Sequence, residues 1–107
     1  MPVVNHNARV LRELRAAGYT AEVVERWDSF GHVRKDLFGV IDVLAVGNGH
    51  TLAVQVTSRG NMASRRRKVR ECEAFSRMLG AGWIIQVWGY DKPGHRWRVK
   101  VDELNPF

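Results

Sequence analysis

The sequence predicts an α/β fold in which two helices flank a mixed central sheet. Three observations carry this reading. Apolar side chains recur at helical spacing in two separate stretches, around residues 10–17 and 69–79. Two apolar runs, VIDVLAV and TLAVQVTS, sit on either side of Gly47-Asn48-Gly49-His50, a tight hairpin signal. A helix-length segment then separates TLAVQVTS from the next apolar run, WIIQVWGY, as a crossover between strands requires.

The elements follow in order. Asn5 to Ala17 reads as the first helix, with Asn5 as N-cap and Val10, Leu11, Leu14 and Ala17 on one stripe. Gly18 stops it. Thr20 to Trp27 reads as a strand, and residues 28–38 as a polar, turn-rich connection. Val40–Val46 and Thr51–Ser58 are nearly continuous apolar runs, as in strands covered on both faces. Asn61 can cap a second helix running to about Leu79, ended by Gly80-Ala81-Gly82. Trp83–Tyr90 is a fourth strand, and Arg96–Val101 alternates like a strand near the sheet edge. The predicted order is αβββαββ.

With 107 residues the chain suits one domain, 1–107, with one modest core. A large multi-layer enzyme is excluded. The lone Cys72 can form neither an internal disulfide nor a cysteine zinc site. This points to a reducing, cytoplasmic setting. No apolar run approaches 18 residues, so no membrane partner is expected.

Charge is more informative. Seventeen Lys and Arg against eleven Asp and Glu give +6. Residues 59–70, RGNMASRRRKVR, hold six basic side chains and no acidic one, so the rest of the chain sums to zero. A neutral body with one cationic segment points at an anionic partner, nucleic acid above all. A solvated helix face is the plainer alternative.

Two polar residues interrupt the apolar strands. Asp42 lies inside VIDVLAV and Gln55 inside TLAVQVTS. Burying a carboxylate is costly unless it is paired or binds a metal. Counting back from the hairpin centre sets the two residues opposite each other. Gln55 and Thr57 share one face of their strand, Val54 and Val56 the other. A buried Asp bonded to a turn, or a Gln bonded to a sheet edge, is the structural alternative for either residue alone.

The run FGVIDVLAVGNGHTLAVQVTS resembles the catalytic hairpin of the PD-(D/E)XK nuclease superfamily, where an acidic residue is followed across a turn by (E/D/Q)-x-K. The predicted element order is similar to the superfamily's αβββαβ core, a restriction-endonuclease-like fold. Size and leading helix look most like the small phage and archaeal Holliday-junction resolvases and the VRR-type nucleases. The resemblance implies Asp42 as metal-binding aspartate and Gln55 as second ligand, with the Val56 carbonyl as a third. The metal implied is Mg²⁺ or Mn²⁺, a hard cation that takes oxygen ligands.

The chain departs from the motif at Thr57, where the family places its lysine. Either the lysine has moved or activity is lost. On a continuous helical wheel Lys68 falls in the apolar arc of Val69, Cys72, Phe75 and Leu79, with Arg65 near the arc's other edge and Arg66 and Arg67 further away. Lys68 is the candidate for the displaced lysine, and Lys35 a weaker one. In the resolvase branch the first helix often adds an acid. Glu13 is the candidate here, Glu25 competes, and Asp36 is weaker.

The implied function is a divalent-metal-dependent DNA endonuclease, selective for branched DNA and acting as a homodimer. Arg59, Arg65, Arg66, Arg67, Arg70 and Lys35 would hold the DNA backbone. A DNA-binding protein on a decayed nuclease scaffold is the second reading, which Thr57 favours. A small RNA-binding or protein-interaction module ranks last. The four tryptophans lie in predicted strands and are expected to be mostly core. The histidines show no metal-ligand spacing.

Overall fold

The computed structural model describes residues 5–106. In chain order the elements are α1 (Asn7–Ala16), β1 (Thr20–Val23), β2 (Arg26–Asp28), β3 (Val33–Lys35), β4 (Val43–Gly47) and β5 (His50–Ser58). A 3-10 turn (Arg59–Asn61), α2 (Met62–Arg70), α3 (Phe75–Gly80), β6 (Ile84–Asp91) and β7 (Arg98–Glu103) follow. Five strands form one sheet in the order β1-β4-β5-β6-β7. Among the described residues only β5 and β6 pair in parallel, across the connection that carries α2 and α3. The sheet is therefore mixed, with helices on its faces, as predicted.

The β4–β5 hairpin owes its register to a two-residue turn. Asn48 and Gly49 both have positive φ, 52° and 79°, the combination that matches the twist of the flanking strands. Pairing then runs from Gly47 opposite His50 to Val43 opposite Val54. It continues one residue further, where Asp42 N–H donates to the Val54 carbonyl at 2.9 Å.

Alternation along the strands divides the core between the two faces. Val10 and Leu14 of α1 pack on Ala21, Val43, Ala45, Leu52, Val54, Trp88 and Tyr90. Met62, Val69 and Met78 pack on Ala53, Ile85 and Val87 on the other face, joined by Val40, Ile41 and Leu104. Each fully buried aliphatic side chain contributes roughly 1.5–3 kcal/mol. Gly89 on β6 lets the start of α2 settle close to the sheet. A Cβ there would lie 3.2 Å from the Arg59 Cα and would run into Met62.

Three expectations need correction. The single helix from Asn61 to Leu79 is two, with a break at residues 71–74. Val69 and Met78 are nine residues apart, about half a turn out of phase at 100° per residue. The break brings both to the same core. The connection expected over residues 28–38 carries β3, which pairs with β2 as a second, two-stranded sheet. Its turn is held by Asp28 Oδ1, which accepts from Phe30 N–H at 3.1 Å and Gly31 N–H at 3.4 Å. The long strand expected over Thr20–Trp27 is split at Val24–Glu25 to make that hairpin. Among the tryptophans, Trp88 is buried but Trp27 is 60% exposed.

The caps differ slightly from expectation. Helix α1 starts at Asn7, and Asn5 still serves it, because Asn5 Oδ1 accepts from Asn7 N–H at 2.8 Å. Asn61 is at the N-cap position of α2, but its side chain donates to Ser58 Oγ instead.

Candidate functional site

At the C-terminal end of β5 the sheet opens into a cleft of about 610 Å³. Asn5, His6 and Asn7 from the start of α1 line one side, and Asn61 and Arg65 from the start of α2 line another. Glu25, Arg34, Asp42, Val56, Thr57 and Ser58 complete it. Two helices therefore begin on the cleft, and neither has an acidic residue in its first turn. Their N-terminal dipoles add positive potential to that of Arg65, while Arg34 Nη1 lies 3.9 Å from the Glu25 carboxylate.

The sequence pair meets here. Gln55 Nε2 donates to Asp42 Oδ2, and Val56 N–H donates to the same oxygen at 2.8 Å. Gln55 is 1% exposed, and its Oε1 is buried without a hydrogen-bond partner. Such an orphaned acceptor carries a desolvation penalty of about 1–3 kcal/mol. Burial pushes the Asp42 carboxyl up to about 7, and the Val56 N–H pulls against that. The Asp36 carboxyl raises it further, being close enough to hydrogen-bond the protonated form.

Other predicted residues are placed elsewhere. Glu13 is exposed on α1 and lies beside the Tyr90 hydroxyl, not in the cleft. That hydroxyl is buried without a partner, and burial, then Glu13, hold it protonated. Glu25, the competing acid, does line the cleft and accepts from Asn7 Nδ2 at 3.3 Å. Lys68 is exposed and does not line the cleft. The wheel that aimed it inward assumed a continuous helix, and α2 ends at Arg70. Arg65, one turn into α2, reaches the cleft instead.

The cationic segment is only partly free. Arg66 pairs with Asp102, and Arg70 Nη1 donates to the Asn105 carbonyl at 2.7 Å. Lys35 pairs with Asp28 at 2.9 Å within the small hairpin. Among the described residues Arg59, Arg65, Arg67 and Lys68 form no ion pair with a carboxylate.

Residue reading missed His6 and Arg34. His6 stacks on Tyr90 with ring centroids 4.8 Å apart and meets Trp97 edge-on at the same distance. Its Nδ1 lies 3.3 Å from Arg9 Nη1. Arginine only donates, so Nδ1 accepts and the neutral ring carries its proton on Nε2. Burial, then Arg9, lowers its pKa. The polar triplet Asn5-His6-Asn7 at a helix start was the available signal. Nothing in the sequence marked Arg34.

The donor set fits a lightly held hard cation. Asp42 offers its second carboxylate oxygen, and the orphaned Gln55 Oε1 is an amide oxygen in want of a partner. Among the described residues no group of three or more His, Cys, Asp and Glu side chains is spaced to cage a metal. Mg²⁺ needs no such cage, because it retains several waters and takes one or two carboxylates.

Neither a protein-family model nor a curated protein matches this chain. Among solved structures it is similar to Hjc from Archaeoglobus fulgidus, a Holliday junction resolvase of an archaeal hyperthermophile. The likeness has a TM-score of 0.51 at 23% identity and covers 86% of this chain and 69% of that one. The five-stranded mixed sheet with its flanking helices is thus a resolvase-like, restriction-endonuclease-like fold.

Proposed function

We propose that this chain is a divalent-metal-dependent DNA endonuclease of the PD-(D/E)XK kind, acting on branched DNA. The observation that carries the reading is the buried Asp42–Gln55 pair, of which Asp42 lines a cleft with Arg34 and Arg65, on a resolvase-like fold. Asp42, Gln55 and the Val56 carbonyl would hold Mg²⁺ or Mn²⁺. Such an ion supplies Lewis-acid polarisation of phosphate and water at neutral pH.

The chain's own residues do the rest. Val56 N–H and Gln55 Nε2 fix the orientation of the Asp42 carboxylate. Arg65 and Arg34 line the cleft and balance phosphate charge there, so Arg65 takes the part that Thr57 cannot play. Asp36, beside the Asp42 carboxyl, and Glu25, on the cleft wall, are the further acids at hand rather than Glu13. Arg59, Arg67 and Lys68 meet the DNA backbone outside the cleft, which positions the duplex without reading its sequence. A symmetric homodimer would set two clefts on two strands. The edge strand β7, with Val101 exposed, is the surface available for it.

The second reading, a DNA-binding protein without cleavage, is favoured by one observation: Thr57 lines the cleft where the superfamily has lysine. The deciding experiment is cleavage of labelled four-way junction, flap and linear duplex DNA in Mg²⁺, Mn²⁺ or EDTA. Metal-dependent nicking that Asp42→Ala abolishes is expected. Binding without cleavage in either metal, unchanged by Asp42→Ala, sinks the enzyme reading.

A further inference from the structure

The small β2–β3 hairpin stands apart from the five-stranded sheet, and two three-residue strands are marginal on their own. It nevertheless carries large aromatics in the open. Trp27 is 60% exposed, and Phe30, at the turn, is 97% exposed. In β2–β3 pairing Trp27 is directly opposite Arg34. Residues directly opposite on paired strands project from the same face. Arg34 lines the cleft, so Trp27 shares its face of the hairpin beside the cleft, with its ring tilted against His32 at 6.3 Å.

We infer that Trp27 is a stacking platform for an unpaired DNA base, with Arg34 holding the phosphate beside it. Aromatic faces next to cationic side chains are the usual means of gripping single strands. Inside a continuous duplex every base face is already stacked, so Trp27 finds a partner only where pairing is interrupted. Nucleic acid is the occupant that the surroundings suit: Arg65 lines the adjoining cleft without an ion pair, Arg34 lines it 3.9 Å from Glu25, and both helix N-termini open on it. The inference rests on the nucleic-acid reading above and deepens it, since it gives preference for branched DNA a physical source.

The test is binding in EDTA, where cleavage plays no part. One DNA carries 2-aminopurine unpaired at a branch point, and the other holds it within a full duplex. Wild type, Trp27→Ala and Trp27→Phe are compared by anisotropy over a range of salt. Trp27→Ala is expected to weaken branched-DNA binding about tenfold. Duplex binding and the salt slope should stay unchanged. Trp27→Phe should restore most of the loss, and 2-aminopurine quenching should appear with wild type only at the branch. Equal loss on both DNAs, or no loss on either, overturns the platform. So does a Trp27→Ala change in sedimentation from dimer to monomer, which would make the hairpin a contact between copies. Selective binding by wild type with no cleavage in Mg²⁺ or Mn²⁺ would instead overturn only the enzyme reading and leave the platform standing.

Discussion

Two neighbouring rungs of the β4–β5 ladder have opposite characters. Val43 and Val54 face each other fully buried, in the core under α1. One residue along, Asp42 and Gln55 face each other on the opposite side of the sheet, equally part of the hairpin but polar. The first rung stabilises the fold by removing apolar surface from water. The second leaves Gln55 Oε1 without a partner and a carboxyl pushed up to about 7 by burial. A buried polar rung with an orphaned acceptor and a shifted carboxyl is what the proposed metal site would use.

Breaking each rung in turn should separate the two roles. Asp42→Ala should lower metal-dependent cleavage roughly 10²–10³-fold, the scale of losing one electrostatic group from an active site. Its thermal midpoint should stay near or above that of wild type. Single-turnover kinetics beside calorimetry would show this, and a large stability loss with cleavage retained would reverse the assignment. Val54→Ala should do the converse: a loss of about 2 kcal/mol in urea unfolding. The rate per folded molecule should be unchanged.

The cations sharpen the contrast between cleft and outer surface. Arg65→Ala should slow cleavage about tenfold or more. Lys68→Ala, on an exposed side chain, should change it less than threefold and only flatten the salt dependence of binding slightly. Equal effects would mean that the cleft does not extend to the reacting phosphate as described.

The polar rung also sets a pH dependence. The folded Asp42 carboxyl, pushed up to about 7, keeps a proton that the unfolded chain has lost above about 4. The folded form thus binds more protons across that window. Stability should fall as pH rises from about 4 to about 7 and level off above it. Thermal melts in EDTA would reveal the slope. Asp42→Asn should remove it, and saturating Mg²⁺ should oppose it by favouring the ionised form.

Much of this contrast was legible in the residues. Asn-Gly between two apolar runs fixes the turn, and the turn fixes the register that sets Asp42 opposite Gln55. What escaped depended on breaks in regular elements. A helical wheel points Lys68 inward only if the helix runs straight through residues 71–74, where it stops so that Val69 and Met78 can share a core. Glu13 borders the apolar stripe of α1, yet the cleft meets only the helix start, at His6 and Asn7. Glu25 and Arg34 come to the cleft because the first strand splits to build a hairpin that no periodicity announced.

The Asn48–Gly49 turn also decides where this chain tolerates added length. It lies five ladder pairs from Asp42, far from the cleft, yet it works as the indexing mark of the hairpin. One extra residue there would slide β4 against β5 and turn each side chain of the shifted strand to the other face. Asp42 would then be driven into the apolar layer under α1. The tip of the small hairpin, residues 29–32, indexes nothing in the main sheet. A tag, a fluorophore loop or a split point belongs there, and a ligand-gated insertion at the same tip would place its switch beside Trp27 and Arg34.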